Sequence, residues 1–172
     1  NVERLSPVSK SDYAASGGDD WPCPCSTATS IQQGDDPAFT WNPEQKGNTG
    51  IVNQRSEIAL NQVLDGTSKT FLIGEKYLNP DHYTTGRSPG DDHSMYCGFD
   101  QDTIRWTVRG LGIYRRDRAG VETQGFGSPH AAGAQFVLCD GSVRSIAYSI
   151  EPTTYDRLAN RQDEQVILDD SL

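Results

Sequence analysis

Gly127-Ser128-Pro129-His130, Ala134-Gln135-Phe136-Val137-Leu138-Cys139 and Asp140-Gly141-Ser142-Val143-Arg144 form the stretch whose reading decides the fold. The Asp-Gly pair stands between two apolar runs, the pattern of a tight hairpin turn that needs positive φ. With Asp140 and Gly141 as the two turn residues, Cys139 faces Ser142 and Leu138 faces Val143. Counting outward in that register sets His130 opposite Glu151, a carboxylate able to hold the imidazole, although strands of that length are uncommon. The stretch thus predicts strands over 134–139 and 142–148.

Outward from the hairpin, Ile104, Trp106 and Val108 alternate and predict a strand over 103–108. Adjacent Phe71, Leu72 and Ile73 predict a buried strand within 69–77. Pro152-Thr153-Thr154 opens a helix reaching Asn160, with Tyr155, Leu158 and Ala159 on one face. Ile58, Leu60 and Val63 suggest a short strand or helical turn, and Val166-Ile167-Leu168 a last short strand. Turn clusters at 17–22 and 34–37 leave residues 1–50 loop-rich, and 80–102 is turn-rich again. The whole reads as one domain over 1–172, with residues 51–172 as a sheet core carrying the 134–148 hairpin. Its class is α+β and strand-dominated, an antiparallel sheet with long loops and a short C-terminal helix.

A chain of 172 residues suffices for one real core, while 34% hydrophobic residues, 17 Gly and 9 Pro fit a loop-rich fold. The net charge of −9 argues against nucleic acid and against anionic membrane surfaces as partners. No apolar run approaches the ~20 residues of a membrane helix, and no basic-then-apolar leader opens the chain. Asn1-Val2-Glu3 is not a translational start, so the chain reads as a mature or trimmed portion.

Four cysteines, Cys23, Cys25, Cys97 and Cys139, allow three fully paired connectivities. A disulfide closed over Pro24 alone would be strained, which favours Cys23 and Cys25 each reaching Cys97 or Cys139. Zinc held by four thiolates calls for a second close pair, absent here. Disulfides agree with an exported protein and are the leading reading, with free thiols second and zinc third.

Asp91, Asp92, Asp100 and Asp102 form the densest set of hard oxygen ligands and mark a candidate calcium loop. Neither the glycine nor the terminal glutamate of an EF-hand follows, and His93 alone rarely suffices for a transition metal. Trp21 and Trp41 lie in polar, turn-rich surroundings where they could stack on sugar rings, whereas Trp106 reads as core. His130 and Asp140 cannot form a dyad, because a hairpin separates them by roughly 30 Å at ~3.3 Å per residue. No Gly-x-Ser-x-Gly elbow accompanies them, so the motif reads as architectural and the chain as a non-enzyme. Arg105, Arg109, Arg115, Arg116 and Arg118 concentrate positive charge that either pairs with acidic loops or is solvated.

The His130-x9-Asp140-Gly141 arrangement resembles the C-terminal signature of the bacterial prepilin-type-processing-associated H-X9-DG domain family. Ser11-Asp12-Tyr13-Ala14 resembles that family's Asn/Asp-Tyr segment. Leu64-Asp65-Gly66-Thr67-Ser68-Lys69-Thr70, with Gly74-Glu75-Lys76, resembles its DGTSNT…GEK block. The resemblance runs from about Asp12 to about Arg161. It implies an exported pilin-like or pseudopilin-like globular head lacking its N-terminal helix, in a surface filament or type II secretion-like assembly. Like subunits or other pilin-like proteins would be its partners at the cell surface, in the periplasm or outside. Membrane contact would come only through the absent helix. The resemblance also strengthens the calcium reading of the acidic loop, no other cofactor being indicated. The alternative is a module binding extracellular polysaccharide or another solute.

Overall fold

The structure, a computed structural model, describes residues 8–20, 28–41, 49–110 and 112–167. Strands β1 (Tyr13–Ser16), β2 (Phe71–Glu75), β3 (Ile104–Arg105), β6 (Gly133–Leu138) and β7 (Val143–Ala147) form one sheet in the order β3-β1-β2-β6-β7. Between β3 and β6 in the chain, β4 (Arg115–Arg116) and β5 (Gly127–Ser128) form a small separate pair. Among the described residues, two helices, α1 (Ile31–Gly34) and α2 (Pro152–Ala159), and three 3₁₀ turns complete the regular structure. The strand-rich α+β class agrees with the sequence. The sheet itself is mixed, because β3 joins β1 in parallel while its other pairings are antiparallel, and the separate β4-β5 pair is parallel. Parallel neighbours need long crossovers rather than hairpins, and the turn-rich loops supply them. The loop-rich first fifty residues also do more than wrap the core: β1 lies between β3 and β2.

The hairpin forms one residue out of the expected register. Val137 pairs with Val143 and Ala134 with Ile146, so Cys139, Asp140 and Gly141 make a three-residue loop. Gly141 takes φ 83° and donates its N–H to Leu138 O at 2.9 Å, the geometry of a three-residue loop closed by a left-handed residue. This register sets Ile146, 1% exposed, beside Ala134 on the buried face. The register with Asp140 and Gly141 alone in the turn would pair it with exposed Gln135.

Ala134, Phe136 and Leu138 of β6 are fully buried and meet Phe71, Phe126 and the inner face of α2. Phe71 stacks on Phe136 with ring centres 4.1 Å apart, and Tyr155 of α2 stacks on Tyr114 at 4.7 Å. Tyr155, Leu158 and Ala159 are the buried residues of α2, as its spacing predicts. Glu151 caps that helix by accepting the Thr154 N–H at 2.8 Å, so it does not face His130.

Strand β2 is not buried on both sides: Phe71 is inside, Leu72 half-buried and Ile73 exposed. The strand expected over 103–108 is confined to Ile104–Arg105, although Ile104 and Trp106 are core residues as their alternation indicates. Residues 164–167 form no strand, and Leu168 lies outside the described residues. Among the described residues no helix is long and apolar enough to cross a membrane.

Candidate functional site

The sheet edge at the ends of β1 and β2 opens a cleft of about 440 Å³. Asp12 and Tyr13 reach it from the start of β1, Glu75 and Lys76 from the end of β2, and Ser128, Pro129 and His130 from the end of β5. Antiparallel pairing of Tyr13 with Glu75 brings the first two groups together. β5 and the segment after it close the third side, and Phe126, just before β5, forms an antiparallel bridge with Lys76. Three sequence blocks far apart in the chain therefore share one concavity.

Glu75, 9% exposed, is the fixed acid of the cleft. One of its carboxylate oxygens accepts the Gln135 N–H at 2.7 Å, and the other lies 3.2 Å from His130 Nε2. The imidazole of His130 is mostly exposed and stands at the rim. Ser128 is buried, its hydroxyl donating to Gly133 O at 3.0 Å and lying 3.0 Å from the Tyr148 hydroxyl. That hydroxyl also accepts the His130 N–H at 3.2 Å, so Ser128 shapes the backbone that presents His130.

Lys76 is a strut rather than a free cation. Its side chain is 1% exposed and its ammonium donates to Asp91 Oδ1 at 2.9 Å, Asp102 O at 3.1 Å and Gly90 O at 3.2 Å. All three donors are used, which offsets the desolvation cost of burying the charge. Lys10 meets the same Asp91 carboxylate at 3.4 Å from the cleft side.

Tyr83 and Asp117 complete the far wall, and no spacing in the sequence marks them. Asp117 accepts the Tyr83 hydroxyl at 2.5 Å and the Leu78 N–H at 3.1 Å. Burial pushes the Asp117 carboxyl above the usual aspartate range against these bonds, with the Glu75 charge adding to the rise. The only hint in the sequence is one acid inside the basic run 115–118.

The other motif residues are architectural. Asp140 accepts from the Ser142 N–H at 2.8 Å and its hydroxyl at 2.6 Å, which holds its carboxyl below the usual range. Asp65 accepts the N–H groups of Asp163 at 2.9 Å and Glu164 at 2.6 Å, tying the 64–70 block to the C-terminal segment. Gly66 takes φ 94°, a conformation that a side chain would strain.

The candidate calcium set divides. Asp91 is taken by Lys76 and Lys10, whereas Asp92, Asp100 and Asp102 gather around His93. A buried ammonium needs a carboxylate, and Asp91 is the one within reach. Cys97 and Cys139 carry free thiols, and Cys23 and Cys25 lie outside the described residues. Trp21 lies outside them too. Trp41 packs edge-on against Phe39 at 5.0 Å, and the Arg55 guanidinium sits 5.2 Å from the centre of its ring. Of the arginine cluster, Arg105 is wholly buried and donates to the carbonyls of Thr123, Tyr77 and Gly90. Arg109 pairs with Asp156 at 2.9 Å, and Arg116 donates to Pro129 O.

No curated protein and no solved structure matches this chain. A family described as a protein of unknown function (DUF1559) matches residues 5–153, and the chain belongs to that family.

Proposed function

We propose that this chain is the exported globular head of a pilin-like or pseudopilin-like subunit, and that the cleft around His130 is its contact surface for like subunits. The carrying observation is the convergence of Asp12-Tyr13, Glu75-Lys76 and His130 on one cleft. These are the segments that resemble the H-X9-DG family. Tyr13, 55% exposed, and His130 present a phenol and an imidazole outward, while Glu75, Lys76 and Ser128 are consumed in holding the frame. Exposed amphipathic rings over a rigid polar frame suit protein contact. With the serine hydroxyl and the lysine amine both committed, the arrangement offers no activated nucleophile beside the imidazole.

The test is photocrosslinking in the producing bacterium, with the full-length protein carrying a photoreactive residue in place of Tyr13. Adducts to a second copy or to a pilin-like protein, enriched in sheared surface appendages, are the expected result. A protein that forms no such adduct and never enters that fraction overturns the reading.

A further inference from the structure

We propose that Asp92, His93 and Asp102, with Asp100 beside them, form a binding site for one divalent ion of the zinc class, distinct from the cleft. His93 Nδ1 lies 3.1 Å from Asp92 Oδ1, 3.6 Å from Asp102 Oδ2 and 3.8 Å from Asp100 Oδ1. The ligand atoms of Asp92, His93 and Asp102 all fall within 4.8 Å of one another. Metal–ligand bonds of about 2.1 Å in a tetrahedral shell set neighbouring ligands about 3.4 Å apart, the spacing found around His93.

The second observation concerns Asp102. Its side chain is 2% exposed, and its Oδ1 accepts the His93 N–H at 2.9 Å. Its Oδ2 is buried, points at His93 Nδ1 and accepts no hydrogen bond, and His93 Nδ1 likewise makes none. A buried carboxylate oxygen without a donor is costly, and one cation between the two atoms satisfies both. Asp91 takes the charges of Lys76 and Lys10, which leaves Asp92, Asp100 and Asp102 facing His93. Arg105, the other buried cation nearby, gives its hydrogen bonds to carbonyls.

The donor set selects the metal. Calcium takes 6–8 oxygens at longer range, and the loss of Asp91 leaves too few carboxylates here. One imidazole nitrogen with two or three carboxylate oxygens suits zinc, with manganese next.

The test uses the full chain, stripped with chelator and with its thiols blocked by iodoacetamide so that no cysteine competes. Zinc sulfate is titrated calorimetrically into wild type and His93→Ala, with calcium chloride in parallel. His93 is half-exposed, so its truncation leaves the apo fold intact, which an unchanged apo melting temperature verifies. One zinc per chain is expected, weakened about tenfold or more in His93→Ala, with zinc raising the melting temperature of wild type more than that of the variant. Absence of zinc binding, zinc bound equally by His93→Ala, or calcium bound in preference and indifferent to His93 would each overturn the proposal.

Discussion

Nε2 of His130 lies 3.2 Å from one carboxylate oxygen of Glu75, while the other oxygen of that carboxylate accepts the backbone N–H of Gln135. Glu75 thus links the exposed rim of the cleft to the first half of β6. The two bonds have unequal weight, because one partner is a solvated imidazole and the other a part-buried backbone donor inside the sheet.

Glu75→Ala leaves the part-buried Gln135 N–H without its acceptor and is expected to cost toward the lower end of about 1–3 kcal/mol. His130→Ala removes only a solvent-screened pair and should cost less than about 1 kcal/mol. Glu75→Gln keeps an acceptor oxygen and should recover most of the loss. Urea unfolding midpoints check the order, and equal losses for the two alanine variants would contradict it.

Lys76 and Asp91 form a buried pair, so removing one charge is worse than removing both. Lys76→Met is expected to cost about 3–5 kcal/mol. Combining it with Asp91→Asn should restore part of that loss. A double variant no more stable than Lys76→Met would show that the Asp91 charge is not the source of the penalty.

Asp117 gives the fold a pH dependence of definite sign. Burial raises its carboxyl above the unfolded value, with Glu75 adding to the rise and the Tyr83, Leu78 and Arg116 contacts opposing it. A raised folded value means that protonation favours the folded state, a stabilisation complete below the ordinary aspartate range and lost as pH rises through the raised value. Wild type should therefore gain stability relative to Asp117→Asn as pH falls from 7 toward 4. Denaturation of the two proteins at several pH values measures the difference, and a constant difference would refute the assignment.

The two described cysteines should react at different rates. Burial, with Asp140 adding to it, pushes the Cys139 thiol up to about 11, and burial also raises Cys97, with Asp100 and Asp102 adding. A thiol near 11 is far less ionised at pH 8 than an ordinary one, offset in part by greater intrinsic nucleophilicity, for a net slowing of about tenfold. Iodoacetamide at pH 8 without reductant should label exposed Cys97 first and Cys139 slowly, as peptide mass mapping would read. Failure of either to label would favour the disulfides that cysteine usage suggests.

Local spacing by itself determined the hairpin, the α2 helix with its Tyr155-Leu158-Ala159 face, and the strand at Phe71. Each of these is specified by residues within about ten positions of one another, through turn geometry, capping and the 3.6 period. Glu75, His130 and Asp102 were also legible as residues, but their partners were not. The sheet order decided that His130 meets Glu75 rather than Glu151, because β2 pairs with β6 and the end of β2 arrives beneath the 127–130 segment. The one-residue hairpin register followed from placing Ile146 inside beside Ala134. Tertiary packing also decided that Asp91 serves Lys76 while Asp92, Asp100 and Asp102 collect around His93. A lysine buried at the end of β2 must find a carboxylate in space, and no rule of sequence spacing says which of four neighbouring aspartates that will be.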